Sequence, residues 1–235
     1  FLQKKYAFLS HKISALNSNI NISDNYPLKY KLYQNFNIKA KVIEYGGDHV
    51  NIETITSDSK AKYTFLNEPY MLCVARAQSD NNLHILIDTF SKYSQENLVI
   101  ISNWDVSKYG QNLKLNFSNF SNVYLIDAIY DKYELDIIRS NTKLYIHSHS
   151  ECGTAPSLVE AMNYNIPIIC YDVETNRETT NHKSYYFKDS NDLKKLLKSL
   201  NTKILSQLKD QMYFLAKEKY SWDIISKKYS NLFLD

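Results

Sequence analysis

The sequence predicts an α/β fold built on a doubly wound parallel sheet, and three observations carry that prediction. Short apolar runs alternate with helix-patterned segments from residue 70 onward. Residues 144–178, LYIHSHSECGTAPSLVEAMNYNIPIICYDVETNRE, read as apolar strand, small-residue loop, helix opening at Pro156, second apolar strand, and polar loop at Asn176-Arg177-Glu178. That order is the parallel-sheet unit, and it leaves a helix N-terminus facing a strand's carboxyl end. Third, only four glycines occur, Gly46, Gly47, Gly110 and Gly153. They are read either as places where a Cβ would clash or φ must be positive, or as ordinary turns.

The elements follow in order. Residues 1–16 are predicted helical, NINIS strand-like, Asn25-Tyr26-Pro27 a turn, 28–36 a short helix, and KAKVIEYGG a strand punctuated by Gly46-Gly47-Asp48. A polar linker follows. Strands are predicted at 70–74, 98–101, 123–126 and 144–146, with helices at 82–93 and 132–139. The first of these helices is marked by Leu83, Leu86, Ile87 and Phe90 on one face. Two closing helices, about 190–200 and 203–220, lead to SWDIISKKYSNLF, an amphipathic helix with Trp222, Ile225, Tyr229 and Phe233 along one stripe, expected to pack with residues 1–20.

A chain of 235 residues, 44% hydrophobic, is long enough for one substantial core and a piece of a second domain. No run approaches the roughly 18 apolar residues that cross a bilayer, and FLQKKYAFLSHK lacks the apolar stretch of a signal peptide, so the cytoplasm is the expected location. Cys73, Cys152 and Cys170 are expected to be free thiols. The net charge of +3 is dispersed among alternating acids and lysines, which argues against nucleic-acid binding.

A helix N-terminus like that at Pro156 holds phosphate through unpaired N–H groups and partial positive charge, so a nucleoside diphosphate is the natural guest. The same residues carry a resemblance. Gly153-Thr154-Ala155-Pro156-Ser157-Leu158-Val159-Glu160-Ala161-Met162, with Pro167 and Asn176-Arg177-Glu178, resembles the donor-binding region of GT-B glycosyltransferases of the retaining, family 4 type. HSHSECGTAPSLVEAM is most similar to bacterial rhamnosyltransferase-like enzymes of surface polysaccharide biosynthesis. Glu44-Tyr45-Gly46-Gly47-Asp48, Val74-Ala75-Arg76 with Asn81-Asn82, and Ile129-Tyr130-Asp131 fit in the same order, so the match spans about residues 42–233.

The resemblance implies a Rossmann-like donor-binding domain over residues 46–218, a remnant of the N-terminal acceptor-side domain at 1–45, and a helix at 219–235 crossing back toward it. Most of that N-terminal domain is expected to lie outside this chain, which alone is expected to bind nucleotide without turnover. It implies that Arg76 clamps the diphosphate, and that Gly47, Asn81, Tyr130, Gly153, Thr154, Ala155 and Glu160 bind the donor. Arg76 sits at the carboxyl end of the first complete-domain strand, where a guanidinium stabilises a leaving diphosphate; the family's usual lysine five residues on is here Asn81, which supplies no charge. Glu160 stands four residues after Pro156 and is expected to meet the ribose diol. Glu151 either serves the sugar hydroxyls, or backbone amides of Gly153, Thr154 and Ala155 read the sugar instead. Asn176 is read as lining the cleft or capping a helix. Tyr130 flanks the base or packs in the core.

His147 and His149 share a face of an extended segment, but neither a CxxC pair nor a second histidine cluster accompanies them, and no DxD occurs. No metal and no cofactor are expected beyond the nucleotide-sugar donor, dTDP-rhamnose or a UDP-sugar. The expected partners are that donor and a glycan or lipid-linked acceptor, with peripheral contact at the inner membrane surface. The expected activity is sugar transfer; the rivals are a UDP- or GDP-hexose transferase of the same fold and a non-catalytic nucleotide-sugar-binding module.

Overall fold

The computed structural model describes residues 2–93 and 95–234. The chain opens with α1 (Leu2–Leu16), β1 (Ile22–Ser23), α2 (Tyr26–Phe36) and β2 (Lys41–Val42), where β1 and β2 form a two-stranded parallel sheet. Pro27 sits in the first turn of α2, where its missing N–H costs nothing, so this helix starts two residues before its expected position. The long strand expected over KAKVIEYGG is cut to two residues. A short α3 (Ser57–Lys62), closed by a reciprocal capping box between Thr56 and Ser59, interrupts the polar linker.

From there strand and helix alternate. They are β3 (Tyr70–Val74), α4 (Leu83–Tyr93), β4 (Asn97–Ser102), α5 (Lys108–Phe117), β5 (Val123–Asp127), α6 (Lys132–Ser140), β6 (Leu144–His147), α7 (Pro156–Asn163), β7 (Ile168–Tyr171), α8 (Glu174–Thr179), β8 (Tyr185–Phe187), α9 (Ser190–Ser199), α10 (Thr202–Lys219) and α11 (Trp222–Ser230). The six strands of the main sheet are parallel, in the order β5-β4-β3-β6-β7-β8. Counted from β3 this is 3-2-1-4-5-6, the doubly wound order. Central strands covered on both faces read as unbroken apolar runs: Leu72, Leu98, Val99, Ile100, Leu144, Ile146, Ile168 and Ile169 are all fully buried. The fold class expected from the sequence is the fold observed.

Several elements differ from the sequence reading. Helix α5 was not anticipated: its sequence is polar, and it is set by Ser107, whose side chain accepts the Gly110 N–H, while Gly110 lets the helix lie against the Trp104 carbonyl. The loop expected at Asn176-Arg177-Glu178 is helix α8, and strand β8 is an addition. The stripe on α11 is not a buried one, for only Ile225 is covered while Trp222, Tyr229 and Phe233 are exposed. That helix is tied to residues 44–49, through Lys228 Nζ to Glu44 Oε2 at 2.6 Å and the Trp222 N–H to Asp48 Oδ1 at 2.8 Å. None of the glycines has positive φ, yet each sits where a Cβ would collide with a neighbour within 3 Å. Gly47 lies against the backbone of α7 and donates its N–H to the Tyr220 carbonyl at 2.8 Å.

Candidate functional site

The strand order reverses between β3 and β6, so their following helices leave to opposite faces and a crevice opens at their carboxyl ends. A cleft of about 660 Å³ occupies that position. Its floor is the ends of β3, β4 and β5, and one wall is the loop from β6 into α7. Asp24 and Tyr45, from the amino-terminal segment, complete the rim.

Seven of the nine residues expected to form the site line this cleft: Arg76, Asn81, Tyr130, Glu151, Gly153, Thr154 and Ala155. The Arg76 and Glu151 side chains are exposed at the rim, and Tyr130 is 92% exposed, so it does not pack in the core. Among the described residues no carboxylate pairs with the Arg76 guanidinium. Asn81 is buried, and its amide donates to the Arg76 carbonyl at 2.7 Å, fixing the turn that presents the arginine. Its own carbonyl accepts from the Ser148 hydroxyl, so Asn81 stitches the β3 and β6 ends together.

The α7 N-terminus faces the cleft without a side-chain cap: Ala155 occupies the capping position and Pro156 the first turn. Such an end presents N–H groups and the positive pole of the helix. Thr154 is buried and donates its hydroxyl to the Asp24 carbonyl oxygen at 2.5 Å.

Gly47 and Glu160 do not line the cleft. One turn into α7, the Glu160 carboxylate is directed away from the loop, with Oε2 taking Arg139 Nη1 at 2.6 Å and Oε1 facing His49 Nε2 at 3.2 Å. His49 in turn accepts from Trp222 Nε1 at 3.1 Å. Burial lowers the pKa of Arg139, but Glu160 and two tyrosines outweigh it and hold the guanidinium above its ordinary value. Asn176 neither caps a helix nor lines the cleft. It is fully buried, donates to the His149 and Tyr171 carbonyls at 2.9 and 3.0 Å, and accepts from the Cys152 thiol at 3.3 Å.

Asp24 was missed by sequence reasoning, since a lone aspartate between a short strand and a turn carries no pattern. Beside it the buried Asn25 reaches Thr154 Oγ1, the Thr175 carbonyl and Thr179 Oγ1 at 3.3–3.4 Å. The amino-terminal segment is thus seated in the wall of the cleft. The three cysteines are free, as expected.

The family model described as Glycosyl transferases group 1 matches residues 55–219. No curated protein matches the sequence. Among solved structures, sucrose-phosphate synthase of Thermosynechococcus elongatus superposes with a TM-score of 0.79 at 16% identity, covering 97% of this chain and 61% of that one. HepE of Anabaena, in complex with UDP-glucose, gives 0.79 at 13% identity, covering 98% and 69%. TarM gives 0.71 at 18% identity, covering 100% and 46%. At such identities the likeness is one of fold. The chain spans 61% of the length of the sucrose-phosphate synthase it superposes on.

Proposed function

We propose a function from one premise: the chain belongs to the Glycosyl transferases group 1 family. The cleft takes the nucleoside diphosphate of a sugar donor, and the whole protein moves that sugar to a glycan or lipid-linked acceptor. One observation carries this reading. The crevice at the strand-order reversal has the uncapped α7 N-terminus on one wall and, on the same rim, Arg76, which pairs with no carboxylate among the described residues. Helix-terminal N–H groups with the 153–155 loop would take the phosphates, and Arg76 would balance the charge that develops as the diphosphate departs. Neither contribution needs a metal clamp on the diphosphate.

The resemblance of HSHSECGTAPSLVEAM supports the finer reading: a retaining, family 4 type rhamnosyltransferase-like enzyme of bacterial surface polysaccharide biosynthesis, using dTDP-rhamnose. Glu151, exposed at the rim, would then meet sugar hydroxyls. A UDP-hexose donor is the rival within the fold, and HepE, solved with UDP-glucose, supports including it. The reading as a non-catalytic binding module is favoured by Asn81, which stands uncharged where the family's lysine would be and whose amide is spent on the Arg76 carbonyl. The expected setting is cytoplasmic, peripheral to the inner membrane; among the described residues no helix is long and apolar enough to cross a membrane.

The test is thermal stability of the chain with dTDP, UDP, GDP and ADP. Saturating ligand adds roughly 2–4 kcal/mol. Selective stabilisation by dTDP or UDP, lost in Arg76→Ala, is the expected result. A folded chain that no nucleotide stabilises would overturn the reading.

A further inference from the structure

At the base of the phosphate loop, with His149 and Cys152 lining the cleft, lies a cluster to which the proposed sugar transfer assigns no role. His147 ends β6, His149 follows on the same face, and Cys152 closes the turn before Gly153. The ligating atoms of these three side chains all lie within 4.8 Å of one another. His147 is 1% exposed, and neither of its ring nitrogens has a hydrogen-bond partner among the described residues; the buried Nε2 of His149 has none there either. Three buried imidazole nitrogens without a protein partner call for a ligand, since buried polar atoms are almost always paired. The imidazole rings stand 4.3 Å apart, centre to centre, and tilted at 46°, so they do not hydrogen-bond each other. Asn176, buried beside them, accepts from the Cys152 thiol and therefore orients the sulfur.

We infer that His147, His149 and Cys152 form a binding site for a transition metal of the zinc class. Two imidazoles and one thiolate are the donor set that zinc prefers, and three protein ligands leave a fourth, tetrahedral position to water. Bond lengths of about 2.0–2.3 Å require ligand atoms roughly 3.3–3.8 Å apart. The spacing of up to 4.8 Å is wider than that range, so a bound ion would draw the three side chains together and take the Cys152 sulfur from Asn176. Neutral imidazoles are the ligating form. Cys152 would bind as thiolate, so each metal bound releases the thiol proton to solvent.

The ion would pin the end of β6 to the turn that leads into the 153–155 loop, satisfying the imidazole nitrogens and making the loop's shape metal-dependent. Sequence spacing placed Cys152 near the two histidines but argued against metal because it sought four ligands; the structure brings the three donor atoms within 4.8 Å of one another.

The metal-stripped chain is titrated with Co²⁺ and no nucleotide, so the result is independent of the glycosyltransferase reading. Expected are one Co²⁺ per chain, tetrahedral ligand-field bands, and a thiolate-to-cobalt absorption that Zn²⁺ abolishes. Cys152→Ser, folded by circular dichroism, should lose the thiolate absorption, and His149→Ala should weaken binding by at least about tenfold. His147→Ala serves as a further ligand test if it folds. A folded wild-type chain with no thiolate absorption at saturating Co²⁺, or a Cys152→Ser chain that keeps it, would overturn the inference.

Discussion

The Asp24 carboxylate lies flat against Gly153: a Cβ on that glycine would sit 2.2 and 2.3 Å from its two oxygens. A negative group from the amino-terminal segment thus presses on the loop proposed to hold phosphate. Burial raises the pKa of Asp24, while its own N–H and that of Thr154 pull it back. A carboxyl group with a raised folded pKa favours folding below its ordinary value and loses that contribution as pH rises through the raised one. At neutral pH the charge is therefore a burden. Asp24→Asn should raise Tm at neutral pH, with the gain shrinking in melts below the ordinary carboxylate range. Calorimetric titration of the same variant should show tighter nucleotide binding.

Gly46 and Gly47 separate two kinds of crowding. A Cβ on Gly47 meets the Val159 carbonyl oxygen at 2.4 Å, which is helix backbone and has nowhere to go, whereas one on Gly46 meets the Trp222 ring at 2.6 Å. Trp222 is 44% exposed and its ring can yield outward at the cost of the Nε1 hydrogen bond to His49. Gly47→Ala should cost about 1–3 kcal/mol and Gly46→Ala distinctly less. Urea midpoints of the two variants decide this, and equal losses would contradict it.

The Arg139–Glu160 pair is half of a buried charge balance. Arg139→Ala leaves Glu160 with only His49 and should destabilise by about 3–5 kcal/mol. Replacing both partners with methionine should recover much of that loss, because both desolvation penalties vanish together. A double-mutant cycle in urea measures it.

Trp104 is fully buried, and its Nε1 donates to the Ile126 carbonyl at 2.8 Å. Trp104→Phe fills most of the space but removes that hydrogen bond, while the Ile126 carbonyl keeps its place in the β4–β5 ladder. A loss of about 0.5–1.5 kcal/mol is expected in chemical denaturation.

The sheet was legible because β3, β4, β6 and β7 are covered on both faces and so appear as unbroken apolar runs. Helix α7 announced itself through Pro156, whose missing N–H suits a first turn. Helices α5 and α8 were not legible, being short and polar, with stability that comes from a cap at Ser107 and from the burial of Asn176 rather than from periodicity. At the site, Gly153, Thr154 and Ala155 were readable because local chain order fixes a loop between strand and helix. The partners of Glu160 were not: Arg139 is 21 residues away, and only the packing of α6 beside α7 brings it within 2.6 Å. Asp24 lay beyond reach for the same reason, since 129 residues separate it from Gly153.

Asn25 has a consequence for how the cleft is walled. Its amide nitrogen touches Thr154, Thr175 and Thr179 together, so residues 22–25 cannot slide away one contact at a time. One side chain thus fastens the amino-terminal segment to the loop before α7 and to α8 at a single point. Its amide oxygen, buried there, has no partner among the described residues. That unmet acceptor offsets part of what the nitrogen gains, so the fastening is weaker than its three contacts alone would make it.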